Sequence, residues 1–255
     1  SLALLGEKPL ILAAAGIDFG KYEAWLKEHD LPLEGIRLVE DELTAGAYIT
    51  TDMADNQITG FNPGAMKYPS RYRVEGSHPA DKLAIVAPGN VEDMVGYSRS
   101  YKEHRIPYIF DPGQQITSLS AEQLAEIVSG SKMLIVNDYE LEMITQKTGL
   151  VRDELLKRTE VIICTLGENG SLIITGQGET KIGVAKVSQV LDPTGAGDAY
   201  RAGIIKGLVS GREVADAARM GATCASYAVE CQGTQEHKFS QEDFWARYDA
   251  NFGEA

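Results

Sequence analysis

The chain has 255 residues, of which 24 are Lys or Arg and 37 are Asp or Glu, so its formal net charge is −13. This length can bury a large core and suits one large α/β domain or two small ones. The acidic balance argues against general nucleic-acid binding, and no apolar run approaches the roughly 20 residues of a membrane helix. Three cysteines (Cys164, Cys224 and Cys231) lack zinc or disulfide spacing, which indicates a reducing cytoplasm.

The first third of the chain predicts mostly short strands. Residues 1–6 resemble the end of an apolar helix that stops at Gly6, and the chain begins without Met, so we expect further N-terminal structure in the full protein. A strand at residues 9–15 and a helix at 22–29 follow. Three strands then come without intervening helices, at residues 36–39, 45–51 and 57–61. This run predicts a small antiparallel sheet separate from the main one.

From residue 83 onward, strands alternate with helices. Strands are predicted at residues 83–87, 108–111, 133–137 and 161–165, helices at 91–103, 121–128 and 139–147, a β region at 171–187, and helices at 195–209, 214–230 and 241–248. Such alternation predicts a parallel sheet covered on both faces, with ligands at the carboxyl ends of the strands. We expect residues 1–34 and 64–255 to form the main domain and residues 35–63 to form a small lid.

A glycine-rich segment before the predicted helix at 195–209 carries the strongest chemical signal. Pro193 donates no hydrogen bond, and Gly195 and Gly197 permit tight backbone geometry. The helix therefore begins with bare N–H groups, which form a ready anion site. Asp198 lies beside that site, where a carboxylate can orient an attacking hydroxyl and receive its proton. A simple Asp cap after a glycine turn is the structural alternative.

This segment resembles the second signature of the PfkB (ribokinase-type) carbohydrate kinases, in which Asp-Thr-x-Gly-Ala-Gly-Asp is the usual form. The resemblance covers essentially the whole chain, although Pro193 and Thr194 depart from the usual order after the first Asp. It implies a ribokinase-like α/β fold, a central mostly parallel sheet flanked by helices, with a small antiparallel β lid. It further implies that Asp198 is the base and that three residues form the anion hole, namely Gly195, Ala196 and Gly197.

Two further segments match the family. Asn137 and Glu140 match its Asn-x-x-Glu motif, and a carboxylate there can hold Mg²⁺ through water; a helix capping box is the alternative. Residues 165–170 match the turn that contacts ATP, with Thr165, Gly167 and Gly170 at the matched positions. Read alone, that turn is an ordinary hairpin.

The resemblance also implies a monovalent cation, K⁺, beside the anion hole. Its matched ligands are Asp192, Thr194, Ala228 and Gly233, and Thr194 is also expected near the nucleotide. An ordinary helix end at Gly233 is the alternative.

Other polar strand ends and the lid give weaker signals. Asp111 and Gln114 follow a strand and could lie near the phosphates or metal, although a Pro-Gly turn is favoured. In the lid, Ala47, Ile49 and Phe61 either line the substrate site or pack, and packing is favoured. Gln57 and Asn62 could reach substrate hydroxyls, although surface turns are favoured.

The sequence therefore predicts an ATP-dependent kinase, with Mg²⁺ and K⁺, that phosphorylates a hydroxymethyl group of a small molecule. Its lid and its Gly-Asp-Ala-Tyr-Arg-Ala-Gly continuation resemble bacterial adenosine-kinase-like members, so a nucleoside is the first expected acceptor. A free sugar such as ribose or fructose, or a non-catalytic binding regulator, is the alternative. A dehydrogenase is disfavoured because the residues after 9–15 lack Gly-x-Gly-x-x-Gly. A homodimer through the lid is also expected.

Overall fold

The structure, a computed structural model, describes residues 1–51, 57–76 and 78–253. In this part of the chain the strands form three sheets, two of which have only two strands. The strands are β1 (Ala13–Ala15), β2 (Ile36–Leu38), β3 (Gly46–Thr51), β4 (Gln57–Asn62), β5 (Ala84–Val86), β6 (Tyr108–Phe110), β7 (Met133–Asn137), β8 (Val161–Thr165), β9 (Ser171–Thr175) and β10 (Gly178–Ile182).

Side chains that accept hydrogen bonds from the first helical turn set the start of several helices. The helices are α1 (Gly20–Glu28), α2 (Val91–Glu103), α3 (Ala121–Val128), α4 (Asp138–Thr148), α5 (Arg152–Leu155), α6 (Ala196–Val209), α7 (Val214–Val229) and α8 (Gln241–Phe252). The capping residues are Asn90, Ser120, Asn137 and Ser240. By contrast, α6 begins at Gly195 without a side-chain cap. Within the described ranges, no helix combines the length and the hydropathy needed to cross a bilayer.

The central sheet has the strand order β10-β9-β8-β7-β6-β5. Strands β5 to β8 run parallel, whereas β9 and β10 are antiparallel. The predicted α/β fold with a mostly parallel sheet is therefore confirmed. The carboxyl ends of the parallel strands share one edge, so Asp111, Asn137 and Thr165 are brought to the same side of the molecule.

Both faces of this sheet are buried, as the period-2 geometry of a strand requires. On β7, Met133 and Ile135 pack toward α6 and α7, whereas Leu134 and Val136 pack toward α2, α3 and α4. All four side chains are fully buried. Each such burial contributes about 1.5–3 kcal/mol relative to an exposed side chain, so the sheet is a rigid base for the residues at its edge.

Helices α6 and α7 lie in direct backbone contact. A Cβ added to Gly203 would lie 2.4 Å from the Met220 carbonyl oxygen, and one added to Gly207 would lie 2.6 Å from the Ala217 Cα. On the facing helix, a Cβ at Gly221 would lie 2.8 Å from the Tyr200 carbonyl oxygen. The absence of side chains at these glycines therefore sets the position of α6 on its neighbour.

The β3–β4 ribbon confirms the predicted small antiparallel sheet. Its register pairs Ala47 with Phe61 and Tyr48 with Gly60. Residues 52–56, which the sequence assigns to the turn of the lid, lie outside the described residues. The division of the chain into residues 1–34 with 64–255 and a lid of 35–63 remains a prediction.

The predicted place of residues 36–39 in the antiparallel sheet is wrong. Ile36–Leu38 pair in parallel with Ala13–Ala15 and form a separate sheet. The physical reason is packing, because Ile36 joins a small core made by Ala15, Phe19 and Leu26 under α1. The strand predicted at 9–15 is correspondingly short and lies outside the central sheet.

We expect Gly203→Ala to lower the free energy of unfolding by about 1–3 kcal/mol, the usual cost of overpacking. The added methyl group would meet backbone atoms of α7, which cannot rotate away. Urea denaturation measures the change. Gly96→Ala in α2 is the matched control, since a Cβ there meets nothing within 4 Å; it should be neutral or stabilise the protein by up to about 1 kcal/mol. Equal effects of the two substitutions would contradict the close α6–α7 contact.

Candidate active site

The amino end of α6 presents unpaired backbone N–H groups. Gly195 precedes the helix at φ +85°, a conformation that favours glycine, and a Cβ there would lie 3.2 Å from the Thr234 Cα. Among the described residues, the amides of Gly197 and Asp198 have no hydrogen-bond acceptor. Because the helix dipole adds partial positive charge at this end, the loop formed by residues 192–198 can bind an anion. We call residues 192–198 the amide loop.

Asp192 fixes the shape of the amide loop. One carboxylate oxygen accepts the Thr194 amide at 2.9 Å, and the other accepts the Gly233 amide at 2.9 Å. The Thr194 side chain, together with the Gly233 and Thr194 amides, holds the pKa of Asp192 below its usual range. The Leu191 amide also donates to the Val229 carbonyl at 2.8 Å, so the loop is bound to the end of α7.

The predicted cation ligands meet at this junction. Asp192, Thr194 and Gly233 are joined by the hydrogen bonds above, and Ala228 lies in the last turn of α7. Carboxylate and carbonyl oxygens of this kind suit a hard monovalent cation. The Ala228 carbonyl already accepts the Cys231 amide at 3.2 Å, so part of its bonding capacity is in use.

Asn137 and Glu140 form a complete capping box at the start of α4. The Glu140 amide donates to Asn137 Oδ1 at 2.7 Å, and the Asn137 amide donates to Glu140 Oε2 at 2.8 Å. The alternative that the sequence left open is therefore realised in the structure. It does not exclude a ligand role, because Glu140 Oε1 and Asn137 Nδ2 make no hydrogen bond within the described residues.

The turn after β8 lies beside Asn137. Thr165 pairs with Asn137 in the sheet register, and its hydroxyl donates to the Val136 carbonyl at 3.4 Å. Gly170 is required by packing, since a Cβ there would lie 2.1 Å from the Ile182 carbonyl oxygen. Gly167 has a φ of +57° and open space around its Cα, so the backbone at this point remains accessible.

Asp111 is buried at the carboxyl end of β6, where the sequence favoured a simple Pro-Gly turn. Its side chain is only 3% exposed and forms an ion pair with Arg201, which is 17% exposed. Arg201 Nη2 donates to Asp111 Oδ1 at 2.7 Å. Arg201 was not among the site residues expected from the sequence. Its spacing could have indicated it, because Arg201 follows Asp198 by three residues and so shares its face of α6.

Glu140 and Asp198 lie near enough to Asp111 for their charges to act on its carboxylate. Burial raises the pKa of Asp111 to about 6, against the lowering effect of Arg201, and the charges of Glu140 and Asp198 raise it further. The negative charge of the carboxylates of Asp111, Glu140 and Asp198 thus exceeds the single positive charge of the Arg201 guanidinium. In the described part of the chain no three acid, His or Cys side chains are grouped to hold a metal alone. Carboxylates that do not form a complete metal cage, such as Glu140 and Asp198, fit Mg²⁺, because this ion keeps several waters and takes other ligands from substrate phosphates.

A groove of about 720 Å³ lies between the β3–β4 ribbon and the ends of β5 and β6. Its lining includes Phe61, Met66, Pro88, Asn90, Gln114 and Gln115. Phe61 therefore borders the groove, whereas Asn62 accepts the Gly64 amide at 3.2 Å and forms a local turn. The volume is that of a small-molecule pocket.

An amide-lined helix end with a carboxylate beside it, at the carboxyl edge of a parallel sheet, defines an enzyme of the α/β class that handles phosphate groups. The sequence pattern of the pfkB family carbohydrate kinases matches residues 1–241. The chain therefore belongs to the PfkB family and is a phosphotransferase with an alcohol group as acceptor.

Two relatives illustrate the relationship. The chain is 34% identical over 239 residues to the nucleoside kinase of Methanocaldococcus jannaschii, which covers 91% of this chain and 76% of that protein. The structure of Burkholderia thailandensis nucleoside kinase in complex with inosine superposes with a TM-score of 0.94 at 33% identity, covering 99% of this chain and 85% of that chain. The same enzyme in complex with ADP-inosine gives a TM-score of 0.92 at 33% identity, covering 99% of this chain and 79% of that one.

We expect Asp111→Asn to change the pH dependence of stability. Between the ordinary pKa of 3.8 and the raised value of about 6, the folded state holds a proton that the unfolded state has lost. The free energy of unfolding of the wild type should therefore fall relative to that of the Asn variant as pH rises from about 4 to about 6. Urea denaturation across this interval measures the difference. Asp153→Asn, at an exposed residue of α5, is the control and should not change the pH dependence of stability. This account would be contradicted if the difference in free energy of unfolding between the wild type and Asp111→Asn did not change with pH, or if Asp153→Asn gave the same pH dependence as Asp111→Asn.

Proposed function

We propose that the protein transfers the γ-phosphoryl group of ATP to a hydroxymethyl group of a nucleoside. The observation that carries the proposal is the amide loop, with free N–H groups at the start of α6 and Asp198 exposed beside them. The relatives support the acceptor class, since one is a nucleoside kinase by name and another is a nucleoside kinase in complex with inosine.

The amides of the loop and Asp198 divide the chemistry between them. Backbone N–H groups of Gly195, Ala196 and Gly197 bind the migrating phosphoryl group, for which the Ala196 amide exchanges its 3.1 Å hydrogen bond to the Pro193 carbonyl. Asp198 accepts the hydrogen bond of the acceptor hydroxyl and takes its proton as the new O–P bond forms. The bond between the γ-phosphorus and the bridging oxygen breaks, and ADP leaves. A carboxylate is a weak base, which suffices because the transition state is loose.

The strand ends hold the phosphate donor. Thr165, Gly167, Gly170 and Thr194 would line its phosphates and ribose. Asn137 and Glu140 would hold Mg²⁺, Glu140 through water. When bound, Mg²⁺ supplies charge neutralisation of the phosphates. The charge excess of Asp111, Glu140 and Asp198 over Arg201 supports this arrangement.

A monovalent cation, K⁺, would stabilise the amide loop. Asp192, Thr194, Ala228 and Gly233 are its ligands in this proposal, and the loop junction at Gly233 supports it. Omitting K⁺ or Mg²⁺ from the transfer assay tests the two ions separately.

The groove between the ribbon and the ends of β5 and β6 supports a nucleoside rather than a free sugar. Phe61 at its border supplies an aromatic surface on which a base can stack. A non-catalytic regulator is disfavoured because Asp198 is present. The three cysteines are free in the described chain, which supports the reducing cytoplasm as the place of action.

We expect ATP consumption with nucleosides such as inosine, adenosine and cytidine, and a lower kcat/KM with ribose or fructose. Asp198→Asn should lower kcat by about 10²–10⁴-fold, the range for loss of a general base, while ADP binding measured by calorimetry stays within about threefold.

Asp249→Asn on the exposed face of α8 is the matched control and should keep wild-type kcat. Wild-type turnover by Asp198→Asn would remove this carboxylate from the reaction. If the wild-type protein consumes no ATP in the presence of any nucleoside or sugar, the proposed function itself is wrong.

We further propose that two copies of the chain pair through the ribbon. Directly opposed residues of an antiparallel pair share a face, so Ala47 and Phe61 lie on one face and Tyr48 and Gly60 on the other. The face toward the groove carries Phe61. The outer face carries Tyr48 and Ile58, which are 69% and 79% exposed, and a second copy would cover them.

We expect light scattering to give twice the mass of one chain for the wild type and a monomer for the double variant Tyr48→Ser, Ile58→Ser, because the serines remove the apolar area that pairing buries. Val151→Ser, at an exposed apolar residue distant in sequence from the ribbon, should leave the mass unchanged. A monomeric wild type would contradict the pairing.

A further inference from the structure

Arg201 lies beside the amide loop and is not explained by the roles assigned above. It follows Asp198 by three residues on α6 and therefore shares its face of the helix. A Cβ added to Gly197 would lie 2.6 Å from Arg201 Nη1. One nitrogen of the guanidinium thus lies directly over the last glycine of the amide loop.

The guanidinium is held from behind by Asp111. Nη2 donates to Asp111 Oδ1 at 2.7 Å, and Nε contacts Oδ2 without the alignment of a hydrogen bond. Two of the three nitrogens thus face one carboxylate, whose side chain is only 3% exposed. In the described residues Nη1, the nitrogen over Gly197, donates to no acceptor.

This arrangement is costly for a purely structural ion pair. Removing two charges from water carries a penalty that apolar side chains of similar size would avoid. The pair also leaves Nη1, the nitrogen beside Gly197, without an acceptor among the described residues. A phosphoryl group bound to the amides of the loop would supply the missing acceptor.

We propose that Arg201 is a catalytic residue that donates a hydrogen bond from Nη1 to the phosphoryl group in transfer, and that Asp111 is the residue that positions it. This inference rests on the proposed kinase function. The guanidinium adds a fixed positive charge to the backbone donors at the place where three phosphoryl oxygens share negative charge. Asp111 holds the planar guanidinium in position before the substrate binds, so the Arg201 side chain needs little ordering during the reaction.

The first test separates binding of the third phosphate from binding of the rest of the nucleotide. We expect Arg201→Met to weaken a non-hydrolysable ATP analogue at least tenfold more than ADP in calorimetry, since ADP lacks the phosphoryl group that Nη1 contacts. The same variant should lower kcat by about 10²–10³-fold, the usual loss for one transition-state donor. Arg219→Met, which removes an ion pair with Asp216 on α7, is the matched control and should change neither quantity.

The second test distinguishes contact with phosphate from simple neutralisation of Asp111. Arg201→Met alone leaves a buried carboxylate without its partner, so its melting temperature should fall. The double variant Asp111→Asn, Arg201→Met removes both charges and should regain most of the melting temperature but not kcat. If the double variant regains kcat, or if ADP and the analogue lose affinity equally, Arg201 is only structural and the inference is overturned.

Assays of the wild type distinguish failure of the proposed kinase function from failure of the role proposed for Arg201. A wild type that transfers no phosphoryl group to any nucleoside or sugar would overturn the proposed function. If the wild type is active and Arg201→Met is equally active, only the role of Arg201 is overturned. If Arg201→Met does not fold, the double variant provides the same comparison of kcat and of the two nucleotides.

Discussion

The position of the amino end of α6 is the constraint on which the site depends. Backbone contact at Gly203 fixes the helix against α7, and a buried hydrogen bond of 2.6 Å between Ser171 and Tyr200 fixes it against β9. Asp192 then ties the loop before the helix to the segment after α7. The donors of the amide loop are consequently held in place without any bound ligand, and preorganised donors of this kind are the most effective in a transition state.

A protein with a net charge of −13 repels a polyanionic nucleotide at long range, so binding must depend on local groups. Backbone amides carry no net charge and add nothing that titrates, and the helix dipole adds to their effect within the first turn. Arg201 supplies a full positive charge at the same point, and Asp111 prevents it from turning away. The carboxylates of Glu140 and Asp198 restore a negative excess nearby, which suits a site completed by a metal–nucleotide complex.

Much of the fold follows from period and spacing in the sequence. Strands such as Met133–Asn137 are short apolar runs buried on both faces, and the site was located by the resemblance of residues 192–198 to the PfkB signature. The error at Ile36–Leu38 has a different origin, because whether a short strand pairs with β1 or with the ribbon is decided by packing around Phe19 and Leu26. The partner of Arg201 could not be predicted, since Asp111 is 90 positions away and only the sheet order brings the two together.

The ribbon connects acceptor binding to the exclusion of water. Its base is fixed, because the Thr44 amide donates to Asp18 at 2.7 Å and the Ala65 amide donates to the Leu43 carbonyl at 2.8 Å. Phe61 lies beyond these anchors, at the border of the groove. Under the proposed function, an acceptor bound in this groove would cover Phe61 and remove apolar surface from water, so the free energy of acceptor binding would favour closure of the ribbon. Closure that depends on the acceptor would exclude water only when an alcohol is present, which would direct phosphoryl transfer to the alcohol rather than to hydrolysis.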